Sequence, residues 1–437
     1  MQVLKFGGTS VGSATRMRDV AKLITADDNQ KIVVLSAMSG TTNSLVEIAD
    51  YFYKNNIAGG LEKVNLLQHK YHNVIEELYS TEHKKEEAKN IIDSIMDFIR
   101  SFSKSIFTVF EEKAILAQGE LLSTNMFQLY LEETGESSIL LPALEYMRID
   151  KNSEPDMAFI TENLNDLLKK NTDKKLYITQ GYICRNFYGE IDNLQRGGSD
   201  YSASLIGAAV KAAEIQIWTD INGMHNNDPR FVEGTKPVPY LHFEEAAELA
   251  YFGAKILHPT CVLPAKLNNI PVRLLNTLEP AAPGTFISNK SAKGVIQAVA
   301  AKDNIIAIKI KSGRMLLAHG FMRKVFEIFE KHQTSIDMVT TSEVGVSVTV
   351  DNGKKLDEIV NDLKKLGTVT VDHDMVIVCI VGDMPYENIG FQAKIIYALK
   401  DIPVRMISYG GSNYNISVLI KAEDKRKALN ELSKALF

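Results

Sequence analysis

The chain has 437 residues, too many for one ordinary hydrophobic core, so two or three domains are expected. Hydrophobic residues make up 45% and charged residues 24%, which excludes a disordered chain. The net charge of −5 excludes a general attraction to nucleic acid or to an anionic membrane surface, and no apolar run is long enough to predict a membrane span.

The cysteines and the first residues indicate the compartment. Cys184, Cys261 and Cys379 are odd in number and share no ligand spacing, so buried free thiols fit them better than a disulfide or zinc framework. Residues 1–6 lead directly into an apolar strand, which is not typical of a signal peptide. A cytoplasmic location is therefore expected.

The first element is a predicted buried strand over residues 2–6, followed by the turn Gly7-Gly8-Thr9-Ser10 and a helical pattern. This order binds phosphate in many α/β folds, although the spacing matches neither the dinucleotide fingerprint nor the Walker loop. Lys5 lies inside the apolar strand, where an ammonium is costly to bury unless it meets an anion. Lys5 therefore either binds an anionic ligand or extends to solvent at the strand end.

A second strand, residues 31–35, is followed by a turn of small residues from Ser36 to Thr42. Strands that alternate with helices predict a largely parallel sheet with ligands at the carboxyl ends of the strands. We expect both turns to lie at the same edge. Residues 61–133 are predicted to be mainly helical, and Glu120 stands out there behind a glycine. It is either a helix-start acid that complements the dipole or a binder of an ammonium group.

The segment Arg196-Gly197-Gly198-Ser199-Asp200 combines a glycine turn with a predicted helix start. Ser199 or Asp200 can cap the helix, whose N-terminus suits an anion, and Arg196 can bind a carboxylate or phosphate through two hydrogen bonds. The alternative is an ordinary strand–turn–helix corner. Further on, Thr219 and Asp220 end another predicted strand.

Composition changes near residue 280, and a domain boundary is predicted around residues 290–298. The remaining residues repeat strands and helices in a βαββαβ pattern, which predicts two ferredoxin-like modules.

Together these motifs resemble the aspartokinases. The elements are Lys5-Phe6-Gly7-Gly8-Thr9-Ser10, the turn after Ser36, Gly119-Glu120, Arg196 to Ala203, Thr219-Asp220, Asp228-Pro229-Arg230 and Phe252 to Pro259, in the order of the family. The segment Ile336 to Glu343 is similar to the regulatory half of the lysine-sensitive members. The resemblance covers the first 290 residues and the tail.

The resemblance implies an α/β amino-acid kinase fold over residues 1–290, a three-layer αβα sandwich with a mainly parallel sheet. It implies two ACT domains over residues 298–437, one at about 312–373 and the other at about 298–311 plus 374–437. In the family the modules are interleaved, so we expect the strand near residues 305–310 to join the C-terminal segment. No homoserine dehydrogenase extension is expected.

The implied reaction transfers the γ-phosphoryl group of ATP to the β-carboxylate of L-aspartate and gives 4-phospho-L-aspartate, the first step of lysine, threonine and methionine biosynthesis. Lys5 and Asp200 are the implied catalytic residues. The implied aspartate contacts are Ser36, Thr42, Glu120, Tyr182, Arg196 and Ser199. The implied ATP contacts are Lys5, Phe6, Gly7, Gly8, Thr9, Thr219, Asp220, His225, Arg230, Lys255 and Ile256. Lys255 alone is also compatible with an exposed lysine. Mg²⁺ is expected to be held mainly by the ATP phosphates, without protein ligands.

The implied effector contacts are Met315, Ala318, Gly320, Phe321, Met322, Ile336, Asp337, Ser342 and Glu343. Asp337 and Glu343 favour a basic amino acid, L-lysine, as feedback inhibitor, although Ala318 lacks a hydroxyl that some lysine-sensitive members carry. His225 stands where the family often has Tyr or Phe. A homodimer or higher oligomer through the ACT domains is expected. The alternatives are another amino-acid kinase, acting on glutamate, acetylglutamate, carbamate or a nucleotide, and a catalytically silent ACT sensor.

Overall fold

The computed structural model of the chain describes residues 1–104, 106–194, 197–253, 257, 259–290, 293–315 and 319–437. The chain divides into two compact units, Met1–Met224 with Ile256–Lys290, and His225–Lys255 with Ser291–Phe437. Residues 225–255 thus group with the C-terminal unit, whereas the predicted first domain included them. The predicted domain boundaries stay a prediction.

The first unit alternates strands and helices along most of its length. Its strands are β1 (Gln2–Phe6), β2 (Lys31–Leu35), β3 (Ser138–Leu141), β4 (Leu176–Gln180), β5 (Ile183–Arg185), β6 (Ile191–Asn193) and β7 (Ile215–Thr219), and later β9 (Val272–Asn276) and β10 (Thr285–Ser288). Its helices are α1 (Ala14–Ile24), α2 (Thr41–Tyr53), α3 (Ile57–Leu78), α4 (Glu82–Ser101), α5 (Val109–Glu133), α6 (Ala143–Tyr146), α7 (Met157–Lys170), α8 (Gly198–Val210) and, after the second unit's α9, α10 (Pro259–Leu267).

Within this unit one sheet has the strand order β3-β4-β2-β1-β7-β9-β10. Every neighbouring pair from β3 to β9 is parallel, and β10 is antiparallel to β9. The α/β class and the mainly parallel sheet are therefore confirmed. The strands are buried along most of their length because helices cover them, as all-parallel sheets require.

The apolar core of the first unit combines one face of the sheet with five helices. Leu4, Phe6, Val33 and Leu35 pack with side chains of α1, α2, α3, α4 and α5. Helix α1 shows how the sequence places such a helix: Ser13 caps it by accepting a hydrogen bond from the Arg16 N–H, and its buried residues recur at helical spacing. This core holds the strand ends and the following turns in position.

The second unit contains the remaining elements. They are β8 (Tyr240–His242), α9 (Phe243–Tyr251), β11 (Ile296–Lys311), α11 (Phe321–Lys331), β12 (Val339–Thr341), β13 (Gly345–Val350), α12 (Leu356–Leu363), β14 (Thr368–Gly382), α13 (Phe391–Ala398), β15 (Met406–Ser408), β16 (Asn415–Lys421) and α14 (Lys425–Leu436). Among the helices of the described residues, none is both long and apolar enough to cross a membrane.

The C-terminal unit has one six-stranded sheet, β12-β13-β11-β14-β16-β15, in which two long strands serve both ferredoxin-like modules. The first part of β11, residues 296–302, pairs with residues 377–382 of β14, and its second part, residues 306–311, pairs with β13 and with residues 368–372. Two separate apolar clusters lie against the two halves.

This pairing corrects one expectation. Residues 306–310 pair with Val346–Val350 in the middle segment and do not join the C-terminal segment, whereas Ile305 pairs with Met375 and residues 296–302 pair with residues 377–382 of β14. The reason is that β11 is one continuous strand with register shifts near residues 302–305. Its residues 296–302 pair with the C-terminal segment, and its residues 306–311 pair with the middle segment.

Candidate active site

Two turns meet at one edge of the first unit's sheet. Phe6 at the end of β1 lies opposite Leu35 of β2 and Trp218 of β7, and all three strands run in parallel. The turn after β1 is held to the turn after β2 because the Ser39 N–H donates to the carbonyl of Gly8 at 3.1 Å. The expectation that both turns share an edge is confirmed.

Lys5 and Asp200 form an ion pair beside the first turn. Lys5 Nζ lies 2.7 Å from Asp200 Oδ1, and the two side chains are only 12% and 15% exposed. A Cβ added to Gly7 would lie 3.3 Å from Lys5 Nζ, so the ammonium sits over the glycine turn and not at the sheet surface. The alternative of a lysine extended to solvent is therefore wrong.

Helix α8 supplies the acid of this pair. It begins at Gly198, and its N-cap is Gly197 with φ of +83°, a conformation that favours glycine. The predicted cap by Ser199 or Asp200 is wrong, because both lie inside the first turn of the helix and no side chain caps it. Since neither side chain serves as the cap, both are available for contacts at the sheet edge.

Ser199 extends the contacts to β2. Ser36 Oγ donates to Ser199 Oγ at 2.8 Å, and Ser123 Oγ on α5 donates to the carbonyl of Ser36 at 2.8 Å. Ser36 and Ser199, which are both predicted to contact the substrate aspartate, are thus in direct contact with each other. The chain elements β2, α5 and α8 converge on this point.

Glu120 is a buried carboxyl group in the middle of α5. It is 5% exposed, and its Oε1 accepts a hydrogen bond from the Ala37 N–H at 3.2 Å. Burial raises the pKa of Glu120 to about 8. Helix α5 runs without a break from residue 109 to 133, so the explanation as a helix-start acid is wrong.

The glycine before Glu120 explains how this acid reaches the turn. A Cβ added to Gly119 would lie 2.9 Å from the Ala37 Cβ and 3.2 Å from Leu45 Cδ1. The helix therefore approaches the β2 turn closely only because the side chain is absent. Among the described side chains Glu120 has no cationic partner, so its charged form stays unpaired until a cation binds.

Thr42 and Tyr182 are the remaining described residues that are predicted to contact the substrate aspartate. Thr42 is the exposed second residue of α2, and its neighbour Thr41 is buried and hydrogen-bonded to the Tyr71 hydroxyl at 2.9 Å. Tyr182 has φ of +64°, and its N–H donates to Ser202 Oγ on α8 at 2.8 Å. Burial raises the pKa of Tyr182 to about 12, so its hydroxyl stays a hydrogen-bond donor at neutral pH.

On the predicted ATP side, Phe6 is fully buried and stacks on Trp218 with ring centres 5.7 Å apart. Thr9 is exposed in the first turn, and Thr219 Oγ1 donates to the exposed Asp220 Oδ1 at 3.2 Å after β7. Strand β7 is adjacent to β1, so these side chains follow a strand end at the same sheet edge.

His225 and Arg230 belong to the second unit. His225 Nδ1 lies 3.0 Å from Thr235 Oγ1, and burial lowers the pKa of its imidazole. Arg230 is exposed, and its guanidinium pairs with Asp228, with Nη2 2.7 Å from Oδ2. Arg196, Lys255 and Ile256 lie outside the described residues.

The described effector residues lie in two places of the C-terminal unit. Phe321 belongs to the apolar cluster of the middle segment, and Met315, Met322 and Ile336 pack against it. Gly320 caps α11, whereas Ser342 and Glu343 are exposed between β12 and β13. Asp337 is buried in an ion pair with Lys302. Ala318 lies outside the described residues.

Within the described part of the chain, no group of three or more His, Cys, Asp or Glu side chains is arranged to hold a metal ion. Near the glycine turn the Asp200 carboxylate is paired with Lys5. The donor set at the turn therefore fits a phosphate anion, and the predicted placement of Mg²⁺ on the ATP phosphates stays a prediction.

The sequence motifs did not indicate the main-chain donor at Ala37, the Ser36–Ser199 contact or Ser202. For the Ala37 N–H donor and the Ser36–Ser199 contact, the indication in the sequence was the turn of small residues after β2, which lets other elements approach its backbone closely. The signal for Ser202 was its position one turn after Gly198 on the same predicted helix.

A Gly8→Ala substitution is expected to disturb this arrangement strongly. The added Cβ would lie 2.8 Å from the carbonyl oxygen of Ala37, a backbone atom that cannot move without shifting the β2 turn. We expect a loss of about 1–3 kcal/mol in the free energy of unfolding and a lower kcat/KM for any phosphate-donor reaction. Thermal unfolding and initial rates measure both. Gly313→Ala, where the added atom meets no described atom within 4 Å, is the control; equal effects of the two changes would show that the close approach of Gly8 to the β2 turn is not the cause.

Comparison with known proteins identifies the family. Residues 1–276 match the amino acid kinase family, and residues 378–436 match the ACT domain. The chain is 34% identical to "Aspartokinase 3, chloroplastic" of Arabidopsis thaliana, over all of this chain and 81% of that protein.

Two crystal structures of Escherichia coli aspartokinase III, each 32% identical over the whole chain, have similar folds. The complex with aspartate and ADP (R-state) superposes with a TM-score of 0.87 and is covered completely, and the complex with lysine and aspartate (T-state) superposes with a TM-score of 0.83 and is covered to 99%. With the amino acid kinase fold, the paired glycine turns and the ACT modules in place, the chain belongs to the aspartokinase family.

Proposed function

We propose that this member of the aspartokinase family transfers the γ-phosphoryl group of ATP to the β-carboxylate of L-aspartate, using Lys5 and Asp200 for the phosphoryl group and Glu120 for the substrate ammonium. The main support for assigning Lys5 and Asp200 to the phosphoryl group is the position of the Lys5 ammonium over the Gly7 turn, where the Asp200 carboxylate lies 2.7 Å from it. The E. coli relative binds aspartate and ADP, which supports this substrate pair.

The reaction needs positioning more than proton transfer. The side-chain carboxyl of aspartate has a pKa of roughly 4, so the nucleophile is already an anion at neutral pH. Bringing it to a triphosphate requires neutralised charge and an in-line approach. The Lys5 ammonium supplies positive charge at the glycine turn, and Mg²⁺ bound together with ATP would supply more. Asp200 keeps Lys5 oriented.

The aspartate side is assigned from the contacts around β2. Glu120 is a buried carboxyl without a cationic partner among the described residues, which suits the ammonium of an amino acid. Ser36 precedes Ala37, whose N–H donates to Glu120, and the Ser36 hydroxyl lies 2.8 Å from the Ser199 hydroxyl on α8. Arg196 is proposed to bind the α-carboxylate on the strength of the motif alone, and Thr42 and Tyr182 are proposed to add hydrogen bonds.

The nucleotide side is assigned from the strand ends. Gly7, Gly8 and Thr9 follow β1, whereas Thr219 ends the adjacent β7 and Asp220 follows it. Phe6, His225, Arg230, Lys255 and Ile256 are proposed to contact ATP from the family motif. The lowered pKa of His225 keeps its imidazole neutral at neutral pH, so it is suited to stacking or hydrogen bonding with a base.

Regulation by L-lysine is proposed for the ACT modules. The support is the E. coli relative in complex with lysine and aspartate, together with the carboxylates Asp337 and Glu343 in the middle segment. Met315, Ala318, Gly320, Phe321, Met322, Ile336 and Ser342 are the further proposed contacts. Inhibition requires an inactive state that binds lysine better than the active one. An oligomer through the ACT modules and a cytoplasmic location remain predictions.

One assay separates the candidate functions. ADP release is measured with ATP and Mg²⁺ in the presence of L-aspartate, L-glutamate or no acceptor, each with and without lysine, threonine or methionine. We expect turnover with aspartate only, and inhibition by lysine. Turnover with glutamate would indicate another amino-acid kinase, and no turnover with any acceptor would indicate a silent sensor.

Arg196→Ala should raise the aspartate KM about 10–100-fold, because the substitution removes one charged bidentate contact.

A further inference from the structure

Asp337, the proposed effector carboxylate, already has an ammonium bound to it. Lys302 Nζ lies 2.7 Å from Asp337 Oδ1 and 3.0 Å from an oxygen of Asp351. The Tyr251 hydroxyl donates to the same Asp337 Oδ1 at 2.7 Å, and Lys302 Nζ lies 4.4 Å from the centre of the Tyr251 ring. The Asp337 side chain is 1% exposed and that of Lys302 18%, so the carboxylate of this pair is shielded from water although Asp351 and Tyr251 lie partly exposed.

The positions of these groups follow from the sheet of the second unit. Lys302 lies on β11, and Asp351 directly follows β13. Asp337 precedes β12, and its N–H donates to the carbonyl of Thr349 at 2.9 Å, which brings it beside the end of β13. Tyr251 is the last residue of α9. The cluster thus joins the helix of residues 243–251 to the middle segment.

The cluster carries one ammonium for two carboxylates, a net charge of −1. Burial lowers the pKa of Lys302, but the hydrogen bonds to Asp337 and Asp351 more than offset this and leave the pKa above its ordinary value. Asp337 Oδ2 is buried and has no hydrogen-bond partner among the described residues. A buried carboxylate oxygen without a donor is costly, so the cluster has both the charge and the open acceptor for a second ammonium.

We propose that Lys302 is an internal ammonium that holds Asp337 until the ammonium of a free basic amino acid replaces it, and that Lys302 then stays on Asp351. The inference rests on the proposed lysine regulation, because it assumes that the effector uses Asp337. After the exchange two ammonium groups face two carboxylates, so no charge is left unpaired. Asp351 is 42% exposed and can keep Lys302 without full desolvation.

The exchange predicts opposite effects for the two partners of Lys302. An internal ligand that occupies the site most of the time weakens the apparent affinity by the reciprocal of the fraction of open sites, so a site that is open one-tenth of the time binds about tenfold more weakly. Lys302→Met removes this competitor. Asp351→Asn removes the carboxylate that keeps Lys302 paired after the exchange and should make displacement from Asp337 harder.

The test is calorimetric titration of the full-length protein with L-lysine. We expect about tenfold tighter binding in Lys302→Met and about tenfold weaker binding in Asp351→Asn. In the double variant the loss due to Asp351→Asn should shrink to less than threefold, because no internal ammonium has to move. Lys365→Met is the matched control: this lysine is 74% exposed and pairs with Asp362, and its loss should leave lysine binding unchanged.

Tyr251→Phe provides a variant that leaves all charges in place. It removes one of the two described hydrogen bonds to Asp337 Oδ1 and leaves Lys302 as the one remaining described partner to displace there, so it should tighten lysine binding about threefold. If Lys302→Met does not fold, Tyr251→Phe tests the exchange by itself, because an unchanged or weaker affinity for L-lysine in Tyr251→Phe would overturn it.

The outcomes separate this inference from lysine regulation itself. If the wild type binds lysine and Lys302→Met binds it equally or more weakly, the exchange is wrong and lysine regulation stands. If only Lys302→Met binds lysine, the exchange is supported and lysine is not the effector of the wild type. If neither binds lysine, both are wrong.

Discussion

Lys5→Met is expected to lower kcat about 10²–10³-fold, the range seen when one group that stabilises developing charge in the transition state is removed. Lys5 Nζ is the cation that lies over the glycine turn, and the change removes that charge while keeping most of the side-chain volume. The aspartate KM should change little, because the proposed contacts to aspartate lie around β2 and α5. Steady-state kinetics with varied aspartate and ATP measure both parameters.

The control for this prediction is Lys22→Met. Lys22 is a lysine of α1 that is 79% exposed and pairs with Asp19, so its loss should leave kcat unchanged. Because Lys5→Met leaves Asp200 without its partner, circular dichroism and thermal unfolding must show that the variant is folded. A folded Lys5→Met enzyme with normal turnover would exclude Lys5 from phosphoryl transfer.

Glu120→Gln is expected to raise the aspartate KM about 10–100-fold at pH 9, the loss of one charged hydrogen bond. The substrate test is succinate, which lacks the ammonium group of aspartate. The wild type should prefer aspartate strongly, and the variant should lose most of this preference. A variant that still discriminates fully against succinate would show that another group binds the ammonium.

The pH dependence of this effect has a definite sign. The pKa of Glu120 is raised from 4.5 to about 8 in the free protein, so at pH 7 the carboxyl is mainly protonated. Binding an ammonium requires the charged form, and kcat/KM for aspartate should therefore rise about tenfold from pH 7 to pH 9. Wild type and Glu120→Gln should approach each other at pH 6 and differ most at pH 9. A pH-independent ratio between them would contradict this role.

The raised pKa of Glu120 also makes the stability of the free protein fall as the pH rises. Because the folded-state pKa is the higher one, the contribution of Glu120 to stability is fully present below pH 4.5 and is lost as the pH rises through about 8. The thermal stability of the wild type relative to Glu120→Gln should therefore fall across this window in the absence of aspartate. Added aspartate should reverse the loss, because it supplies the missing cation.

The sequence was sufficient for the parts of the site that depend on local order. A strand, a glycine turn and a helix follow one another after Lys5, and parallel strands bring their carboxyl ends to one edge, so the shared edge was predictable. Local order does not indicate the ion pair between Lys5 and Asp200, because the two residues belong to elements almost 200 residues apart; the family resemblance alone implied that Asp200 orients the lysine or the magnesium-bound phosphates. Glu120 was recognised as unusual, but its place inside one long helix required the structure.

The C-terminal unit shows the opposite case. Its repeated strands and helices predicted two ferredoxin-like modules, yet periodicity cannot reveal that one strand of 16 residues passes through both. The cluster around Lys302 was missed for a related reason. A lysine in a strand carries no signal of its partners, and Asp337, Asp351 and Tyr251 come together only through the sheet and the helix α9.

Phosphoryl transfer to a carboxylate of L-aspartate gives an acyl phosphate, and trapping this product shows which group accepts the phosphoryl. An acyl phosphate reacts with hydroxylamine to give a hydroxamate, which can be counted against the ADP released in the same reaction. We predict one hydroxamate for each ADP with L-aspartate and none with L-glutamate. ADP release from L-aspartate without hydroxamate would mean that water accepts the phosphoryl group, and it would contradict the account.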